Sequence, residues 1–349
     1  MEKFTKLYSG TVAGTGNNNA ICLKGGKKYV LESRYKLRAE GECRFKLFFA
    51  NIIESTGNFR RDTPGSEYVI KKAYAKACGR EKEMTFGGSA EKRVLPGEEF
   101  SSDEFTLFYD KDEFMELIFE VEAESDILLP STYESTTRGR VFEDTEAIYT
   151  DGHSLRPYFI GIYREFEKTV GFFGDSITQG TSTTEDAYEA WAHRIGNSLS
   201  DSVSFYNIGM GWSRAYDAAG GGIFLKKASM CDEVFVCFGV NDIGSGGRKA
   251  IDVIADLETI KRELRGVKMR FLTIPPFNFA QKEECERKKV NAYIRKTPEY
   301  FDIASVLEDG EEGRIKREFM AGADDPHPNG VAGEAVFNAF LRWRAESEW

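Results

Sequence analysis

The sequence predicts an α/β protein built from an antiparallel β-sandwich of the jelly-roll kind, followed by a three-layer, doubly wound parallel sheet of the flavodoxin-like kind. Two observations predict this order. Up to about residue 145, apolar and polar residues alternate with a period of two; beyond about residue 150, short apolar runs alternate with segments of helical spacing. The length of 349 residues also favours two domains over one.

The antiparallel part is predicted from strands that bury one face. Between Tyr29 and Phe49 the apolar residues tend to fall on odd positions, with Lys, Arg and Glu between them. From Met115 to Ala123, apolar residues alternate with glutamates in the same way. This alternation is typical of strands with one buried and one exposed face. We therefore expect a sandwich domain over residues 1–150.

The parallel part is predicted from four short and nearly continuous apolar runs, which are typical of strands covered on both faces. Residues 251–264 carry apolar side chains at helical spacing, and Gly266 suits the end of that helix. We therefore expect a catalytic domain over residues 151–349. The four predicted strands are Thr169–Phe173, Val203–Ile208, Glu233–Phe238 and Met269–Ile274.

The composition excludes several classes of partner. With 47 Lys and Arg against 57 Asp and Glu, the net charge of −10 would repel a phosphate backbone and an anionic membrane surface. We therefore expect neither nucleic acid nor a membrane as a partner. The first residues lack the apolar segment of a secretory signal and no stretch is as long as a membrane span, so we expect a cytoplasmic location. The six cysteines show no metal-binding spacing, so we expect no metal site.

Four polar stretches combine position and chemistry that suit a ligand site, which in an open parallel sheet lies at the carboxyl ends of the strands. In GDSITQG, Ser176 follows the first strand at the start of a helix. In NIGMG, Gly209 ends the second strand and would free a backbone N–H, and in GVND, Asn241 offers a neutral donor for an oxyanion. In DDPHPN, Asp324 precedes His327 by three residues and can accept its Nδ1–H, leaving Nε2 free as a base.

Each stretch also has a plain structural explanation. Ser176 would cap a helix, Gly209 would serve a left-handed turn, and Asn241 would form an Asx turn. These explanations do not predict that the four stretches occur together and in this order. Together they supply a nucleophile, a base, an orienting acid and oxyanion donors, so the sequence predicts acyl transfer. Of the other two histidines, His153 is interpreted as a linker residue and His193 as part of a helix surface or its packing.

The set GDSITQG, NIG, GVND and DDPHP resembles the SGNH hydrolases, also called the GDSL esterase/lipase family, over roughly residues 168–349. The resemblance implies that Ser176 is the nucleophile, that His327 is the general base and that Asp324 orients it. Asp325 is the alternative to Asp324, and some relatives use a backbone carbonyl in that role. The implied oxyanion hole consists of the Ser176 and Gly209 N–H groups and the Asn241 side chain. The implied mechanism is ester hydrolysis through an acyl-enzyme, without a metal or an organic cofactor.

The order of a β-sandwich before such a domain resembles that of acetylxylan-esterase-like carbohydrate esterases. That resemblance implies removal of short acyl groups, above all acetyl, from a sugar or oligosaccharide ester. Trp212, three residues after Gly209, would line the acyl or sugar site or else pack in the core. Two alternatives remain open: a lipase, lysophospholipase or thioesterase for longer acyl chains, and a carbohydrate-binding protein without activity. The sequence does not indicate the oligomeric state.

Overall fold

The computed structural model describes residues 7–56, 61–132, 136–310 and 313–347. Antiparallel strands dominate the first part of these ranges, and parallel strands alternate with helices in the second. The predicted α/β class is therefore confirmed. The two ends of the predicted domain ranges, residues 1 and 349, lie outside the described residues.

The antiparallel part contains sixteen strands among the residues described. They are β1 (Leu7–Ser9), β2 (Asn19–Leu23), β3 (Lys28–Tyr35), β4 (Gly41–Ala50), β5 (Ile52–Ile53), β6 (Thr63–Pro64), β7 (Tyr68–Ala77), β8 (Arg80–Glu83), β9 (Lys92–Val94), β10 (Glu99–Ser101), β11 (Phe105–Tyr109), β12 (Met115–Glu122), β13 (Ile127–Ser131), β14 (Gly139–Glu143), β15 (Glu146–Tyr149) and β16 (Phe159–Tyr163).

Most of these strands belong to two larger sheets whose buried faces share one core. The five-stranded sheet has the order β1-β16-β4-β10 with β11 also on β4, and the seven-stranded sheet has the order β15-β14-β3-β12-β7-β8 with β9 also on β7. In β3 and β12 every second side chain is buried, as the period of two predicts. Phe49 of β4 and Phe119 of β12 contact each other edge to face, with ring centroids 5.6 Å apart. The two remaining pairs are β2 with β13 and β5 with β6.

The last antiparallel strand lies beyond the predicted domain boundary at residue 150. β16 pairs with β1 and with β4, so the antiparallel part continues to Tyr163. The parallel sheet begins only at Lys168. The physical reason is that the turn around Gly152, which resembles a linker in sequence, connects strands of the same part.

The parallel part contains four strands and nine α-helices in the portion of the chain that the structure describes. The strands are β17 (Lys168–Gly174), β18 (Val203–Gly209), β19 (Glu233–Cys237) and β20 (Lys268–Phe271). The helices are α1 (Ser176–Gln179), α2 (Trp191–Ser198), α3 (Ala215–Ala219), α4 (Gly222–Ser229), α5 (Val240–Ile243), α6 (Ala250–Glu263), α7 (Gln281–Ile294), α8 (Ile303–Leu307) and α9 (Gly330–Glu346).

The four parallel strands are covered on both faces, which explains their continuous apolar sequence. Their order is β18-β17-β19-β20, so the chain reverses direction across the sheet after β18. On one face Phe172 packs against Trp191 of α2, with ring centroids 5.0 Å apart. On the other face Phe173 packs against Phe224 of α4 at 4.6 Å. The carboxyl ends of β17, β18 and β19 therefore lie side by side, at the edge where ligands bind in such sheets.

Within the described ranges, none of the helices combines the length and the apolar character that crossing a membrane requires.

Candidate active site

The turn from β17 into α1 places the Ser176 hydroxyl at the sheet edge. Asp175 caps the helix, because its Oδ1 accepts a hydrogen bond from the N–H of Ile177 at 3.0 Å. Gly174 is required for close packing, since a Cβ there would lie 2.1 Å from Oγ1 of Thr178. In the sequence, helix capping competes with a nucleophile as the explanation for Ser176. In the structure Asp175 caps the helix, and the Ser176 hydroxyl lies at the sheet edge.

The Ser176 hydroxyl contacts an imidazole, and the imidazole in turn contacts a carboxylate. Oγ of Ser176 lies 3.0 Å from Nε2 of His327, and Nδ1 of His327 lies 2.6 Å from Oδ1 of Asp325. The Phe277 ring stands edge-on to the imidazole, with centroids 5.1 Å apart and an interplanar angle of 89°. This chain of contacts has the geometry in which a serine loses its proton to a histidine that a carboxylate orients.

The prediction that Asp324 orients His327 is corrected to Asp325. Asp324 is exposed, whereas Oδ1 of Asp325 accepts both the ring Nδ1–H and the backbone N–H of His327, the latter at 3.1 Å. This Asx turn brings the carboxylate two residues before the imidazole back onto its ring. Ser182 donates a hydrogen bond to the other oxygen, Oδ2, at 2.9 Å. Both oxygens of Asp325 are therefore fixed.

The hydrogen bonds also set the charge of this carboxyl. Burial alone would raise the pKa of Asp325, but the hydrogen bonds from the His327 ring, the His327 backbone and Ser182 outweigh it. The pKa of Asp325 consequently lies below its ordinary value, and the group is a carboxylate near neutral pH.

Asn241 faces the same place from the first turn of α5. One amide hydrogen of Nδ2 binds the carbonyl of Ser213 at 3.1 Å, which fixes the side chain. The next residue, Asp242, accepts hydrogen bonds from the N–H of Ala215 and from Arg248, each at 2.8 Å, and so ties this turn to α3. Asn241 also lines the cavity described below.

The prediction that the Gly209 N–H donates to an oxyanion is contradicted by the hydrogen bond that this N–H makes in the structure. The N–H of Gly209 is already bound to Oδ1 of Asn207 at 2.9 Å, so it is not directed at Ser176. A Cβ at Gly209 would lie 2.2 Å from the backbone nitrogen of Gln179, which means that this glycine lets β18 pack closely against α1. Gly211 lines the cavity next to Ser176 instead. The second glycine of NIGMG was the available signal in the sequence.

A cavity of about 190 Å³ opens over the Ser176 hydroxyl. Trp212 lies on its wall, as predicted, with 48% of its surface exposed and a φ of +63°, a strained value for a bulky residue. Sequence reasoning missed six of the lining residues. Asn18, Thr132, Thr181 and Phe277 lie in loops outside the quoted motifs, whereas Gln179 and Gly211 lie within GDSITQG and NIGMG. The lining residues are Asn18, Thr132, Ser176, Gln179, Thr181, Gly211, Trp212, Asn241, Phe277 and His327.

Several buried titratable groups lie outside the cavity lining. His193 is fully buried in α2, as the packing interpretation predicts, and burial lowers its pKa to about 4. His153 is 7% exposed and contacts Ser131, so it is more buried than a linker residue would be. Beneath Ser176, burial raises the pKa of Asp175 to about 7, and the neighbouring Asp242 adds to that shift.

A serine hydroxyl that contacts a histidine, which in turn contacts a carboxylate, is the arrangement found in serine hydrolases. Residues 172–333 match the family described as "GDSL-like Lipase/Acylhydrolase family", so this chain contains a domain of that family. The predicted enzyme class, a carboxylic ester hydrolase, is thereby confirmed. No curated protein matches the sequence.

Solved structures of two similar proteins complete the comparison. A member of the lipolytic protein G-D-S-L family from Veillonella parvula is 19% identical, with 50% of this chain and 96% of that chain covered and a TM-score of 0.41. A family two carbohydrate esterase from Clostridium thermocellum, solved in complex with cellohexaose, is 10% identical, with 98% and 99% covered and a TM-score of 0.39.

Proposed function

We propose that this protein is a serine esterase that removes short acyl groups, above all acetyl, from a carbohydrate ester. The observation that carries the proposal is the continuous contact from Ser176 Oγ through His327 to Asp325, with the hydroxyl opening onto the cavity. The family match supports the reaction class. The substrate itself is inferred from the shape and chemistry of the cavity.

The reaction begins at the Ser176 hydroxyl. Oγ attacks the ester carbonyl carbon while Nε2 of His327 takes its proton, and Asp325 stabilises the imidazolium that forms. The negative oxygen of the tetrahedral intermediate accepts hydrogen bonds from the Asn241 side chain and from the backbone N–H groups of Ser176 and Gly211. These donors are neutral, so they stabilise the charge without titrating.

The intermediate then collapses. The bond from the carbonyl carbon to the alcohol oxygen breaks, and His327 passes its proton to the leaving alcohol. The acyl group remains on Ser176. A water molecule attacks the acyl carbon with His327 again as the base, and the carboxylic acid leaves as Ser176 recovers its proton.

The cavity favours a short acyl group. Its volume of about 190 Å³ is below the range of roughly 300–1,000 Å³ that drug-sized ligands occupy. An octanoyl or longer chain attached to a sugar would exceed this space, so the lipase and thioesterase alternatives have less support.

The walls of the cavity favour a sugar as the alcohol part. Trp212 offers a half-exposed aromatic surface, while Gln179 and Thr181 supply groups that hydrogen-bond with hydroxyls. The inactive carbohydrate-binding alternative has less support, because the Ser176, His327 and Asp325 contacts are complete.

The test is hydrolysis of p-nitrophenyl acetate, p-nitrophenyl octanoate and an acetylated xylo-oligosaccharide by wild type, Ser176→Ala and the control Ser200→Ala, whose serine is exposed. We expect wild type and Ser200→Ala to release acetate from the sugar, and Ser176→Ala to lose at least about 10³-fold. Octanoate turnover with no acetate release would contradict the acetyl proposal. Glycan binding without hydrolysis of any ester would instead support the inactive alternative.

The finer description of the fold is also proposed. The shared core of the two large antiparallel sheets supports a jelly-roll-like sandwich, and the strand order β18-β17-β19-β20 with helices on both faces supports a doubly wound, SGNH-type sheet. We propose a division into two domains between Tyr163 and Lys168.

A further inference from the structure

Two of the cavity-lining residues belong to the antiparallel part of the chain. Asn18 directly precedes β2, and Thr132 directly follows β13. These strands pair with Asn19 opposite Ser131, so the two lining residues are held side by side by a regular ladder. Asn18 is 4% exposed and Thr132 is 2% exposed, so both side chains are fixed in a packed environment.

The two side chains form a directed chain of hydrogen bonds toward the catalytic turn. The Thr132 hydroxyl donates to Oδ1 of Asn18 at 3.1 Å, and Nδ2 of Asn18 donates to the carbonyl oxygen of Gly211 at 2.7 Å. The carbonyl oxygen of Gly211 only accepts, so it requires Nδ2 of Asn18 opposite it, and the Thr132 hydroxyl, which donates to Oδ1, holds the amide in that orientation. The bond from Asn18 to Gly211 holds the peptide between Gly211 and Trp212.

This peptide needs an external support. Trp212 has a φ of +63°, a conformation that costs a bulky residue free energy and persists only where its surroundings impose it. The same N-terminal segment supports the strand that leads into the turn, since the Thr15 hydroxyl donates to the carbonyl of Asn207 at 3.2 Å. The antiparallel part thus contacts β18 and the turn after it.

We propose that Asn18 is a positioning residue for ester hydrolysis, which holds the Gly211 turn so that its backbone N–H faces the oxyanion, with Thr132 orienting the Asn18 amide. This inference rests on the proposed function. It gives the antiparallel part a role in the chemical step: the oxyanion site is complete only when that part is folded against the turn.

The test uses polar-to-apolar substitutions that keep the number of non-hydrogen side-chain atoms, made in the whole chain. Asn18→Leu removes the donor to Gly211, Thr132→Val removes the hydroxyl, and Thr132→Ser keeps the hydroxyl and serves as the matched control. We expect kcat for p-nitrophenyl acetate to fall about 10- to 100-fold in Asn18→Leu and about 3- to 10-fold in Thr132→Val, the scale of a displaced oxyanion donor. KM should change less than about threefold, and Thr132→Ser should retain at least about half of the wild-type kcat.

A second measurement separates this inference from the acetyl ester proposal. A fluorophosphonate reacts with an activated serine and places its phosphonyl oxygen where the oxyanion would lie, whatever the natural ester is. The rate of Ser176 labelling should fall in Asn18→Leu and Thr132→Val by factors similar to those for kcat. If wild type is labelled but does not hydrolyse acetyl esters, the acetyl proposal fails and the labelling rates still decide the role of Asn18.

Three results would overturn the inference. One is a raised KM with unchanged kcat and unchanged labelling, which would make Asn18 a substrate contact. Another is a lower melting temperature with normal kcat at temperatures where the variant is folded, which would make its role purely structural. If wild-type Ser176 is neither labelled nor active on any ester, the proposed function and this inference fail together.

Discussion

The adjacent residues Asp324 and Asp325 allow a matched test of which carboxylate orients His327. Both are aspartates on one loop, but only Asp325 contacts the imidazole, through Oδ1 at 2.6 Å from Nδ1. Asp325→Asn removes the negative charge and keeps the size. Asp324→Asn makes the same chemical change at an exposed position.

The magnitude follows from the charge that forms during the reaction. When His327 takes the serine proton, an imidazolium lies beside the Asp325 carboxylate with charge centres about 4 Å apart, which at an effective dielectric constant of about 20 is worth about 4 kcal/mol. The Asp325 side chain is 41% exposed, so solvent screening reduces this to about 2 kcal/mol. We therefore expect Asp325→Asn to lower kcat about 30-fold, with about 1,000-fold as the upper limit.

The assay is the initial rate of p-nitrophenyl acetate hydrolysis over a range of substrate concentrations, with circular dichroism to show that both variants are folded. Asp324→Asn should stay within about twofold of wild type, because an exposed carboxylate without contact to the ring contributes little. Equal losses in the two variants, or no loss in Asp325→Asn, would refute the assignment of Asp325.

Three further predictions concern stability. The pKa of Asp175 is raised to about 7, so the folded state binds the proton more tightly than the unfolded state and loses stability as pH rises from about 4 to 7. In Asp175→Asn this loss of unfolding free energy should be smaller by up to about 4 kcal/mol, measured by urea unfolding at several pH values. Parallel curves of stability against pH in the two proteins would contradict the prediction. The pKa of His193 is lowered to about 4, so the protein should lose stability as pH drops from about 6.5 to 4. In the same urea measurement this loss should be larger in wild type than in His193→Leu by up to about 3 kcal/mol. Equal pH dependence of the unfolding free energy in the two proteins would count against the prediction. Gly209→Ala forces a Cβ against the Gln179 backbone and should lower the free energy of unfolding in urea by at least about 2 kcal/mol. In Gly211→Ala the added Cβ meets only side-chain atoms at 3.0 Å or more, so the loss should be smaller. A larger loss in Gly211→Ala than in Gly209→Ala would refute the packing role of Gly209.

The class of fold could be predicted from the sequence, because the two spacings of its apolar residues each have a direct physical cause. In β12 the alternation of apolar residues with glutamates reports one buried face, and the structure gives a strand over Met115–Glu122. The continuous apolar run before Gly174 reports a strand covered on both faces. β16 was missed as part of the antiparallel sheet because its sequence, FIGIY, is also apolar throughout, and such a run does not reveal which sheet it joins.

Within the candidate site, residue type was easier to predict than the direction in which a group points. Ser176, Asn241 and His327 were selected because only those residue types fit their chemical roles, and all three lie on one cavity. The sequence favours Asp324 over its alternative Asp325 and points to Gly209, although Asp325 and Gly211 have the same chemistry as the residues chosen. Hydrogen bonds that form only in the folded chain make the difference: the Asx turn recruits Asp325, and the Asn207 side chain occupies the Gly209 N–H.

The two parts of the chain are joined more strongly than a division into domains suggests. Lys227 of α4 and Glu54 of the antiparallel part form an ion pair with side chains 1% and 2% exposed, and Lys227 also donates to the carbonyl of Thr15. Removing one partner of such a buried pair costs about 3–5 kcal/mol, since a charge remains without compensation. The α/β part alone would lose this ion pair and the Asn18 contact to Gly211. The antiparallel part is therefore expected to be needed for a stable fold and for a complete oxyanion site.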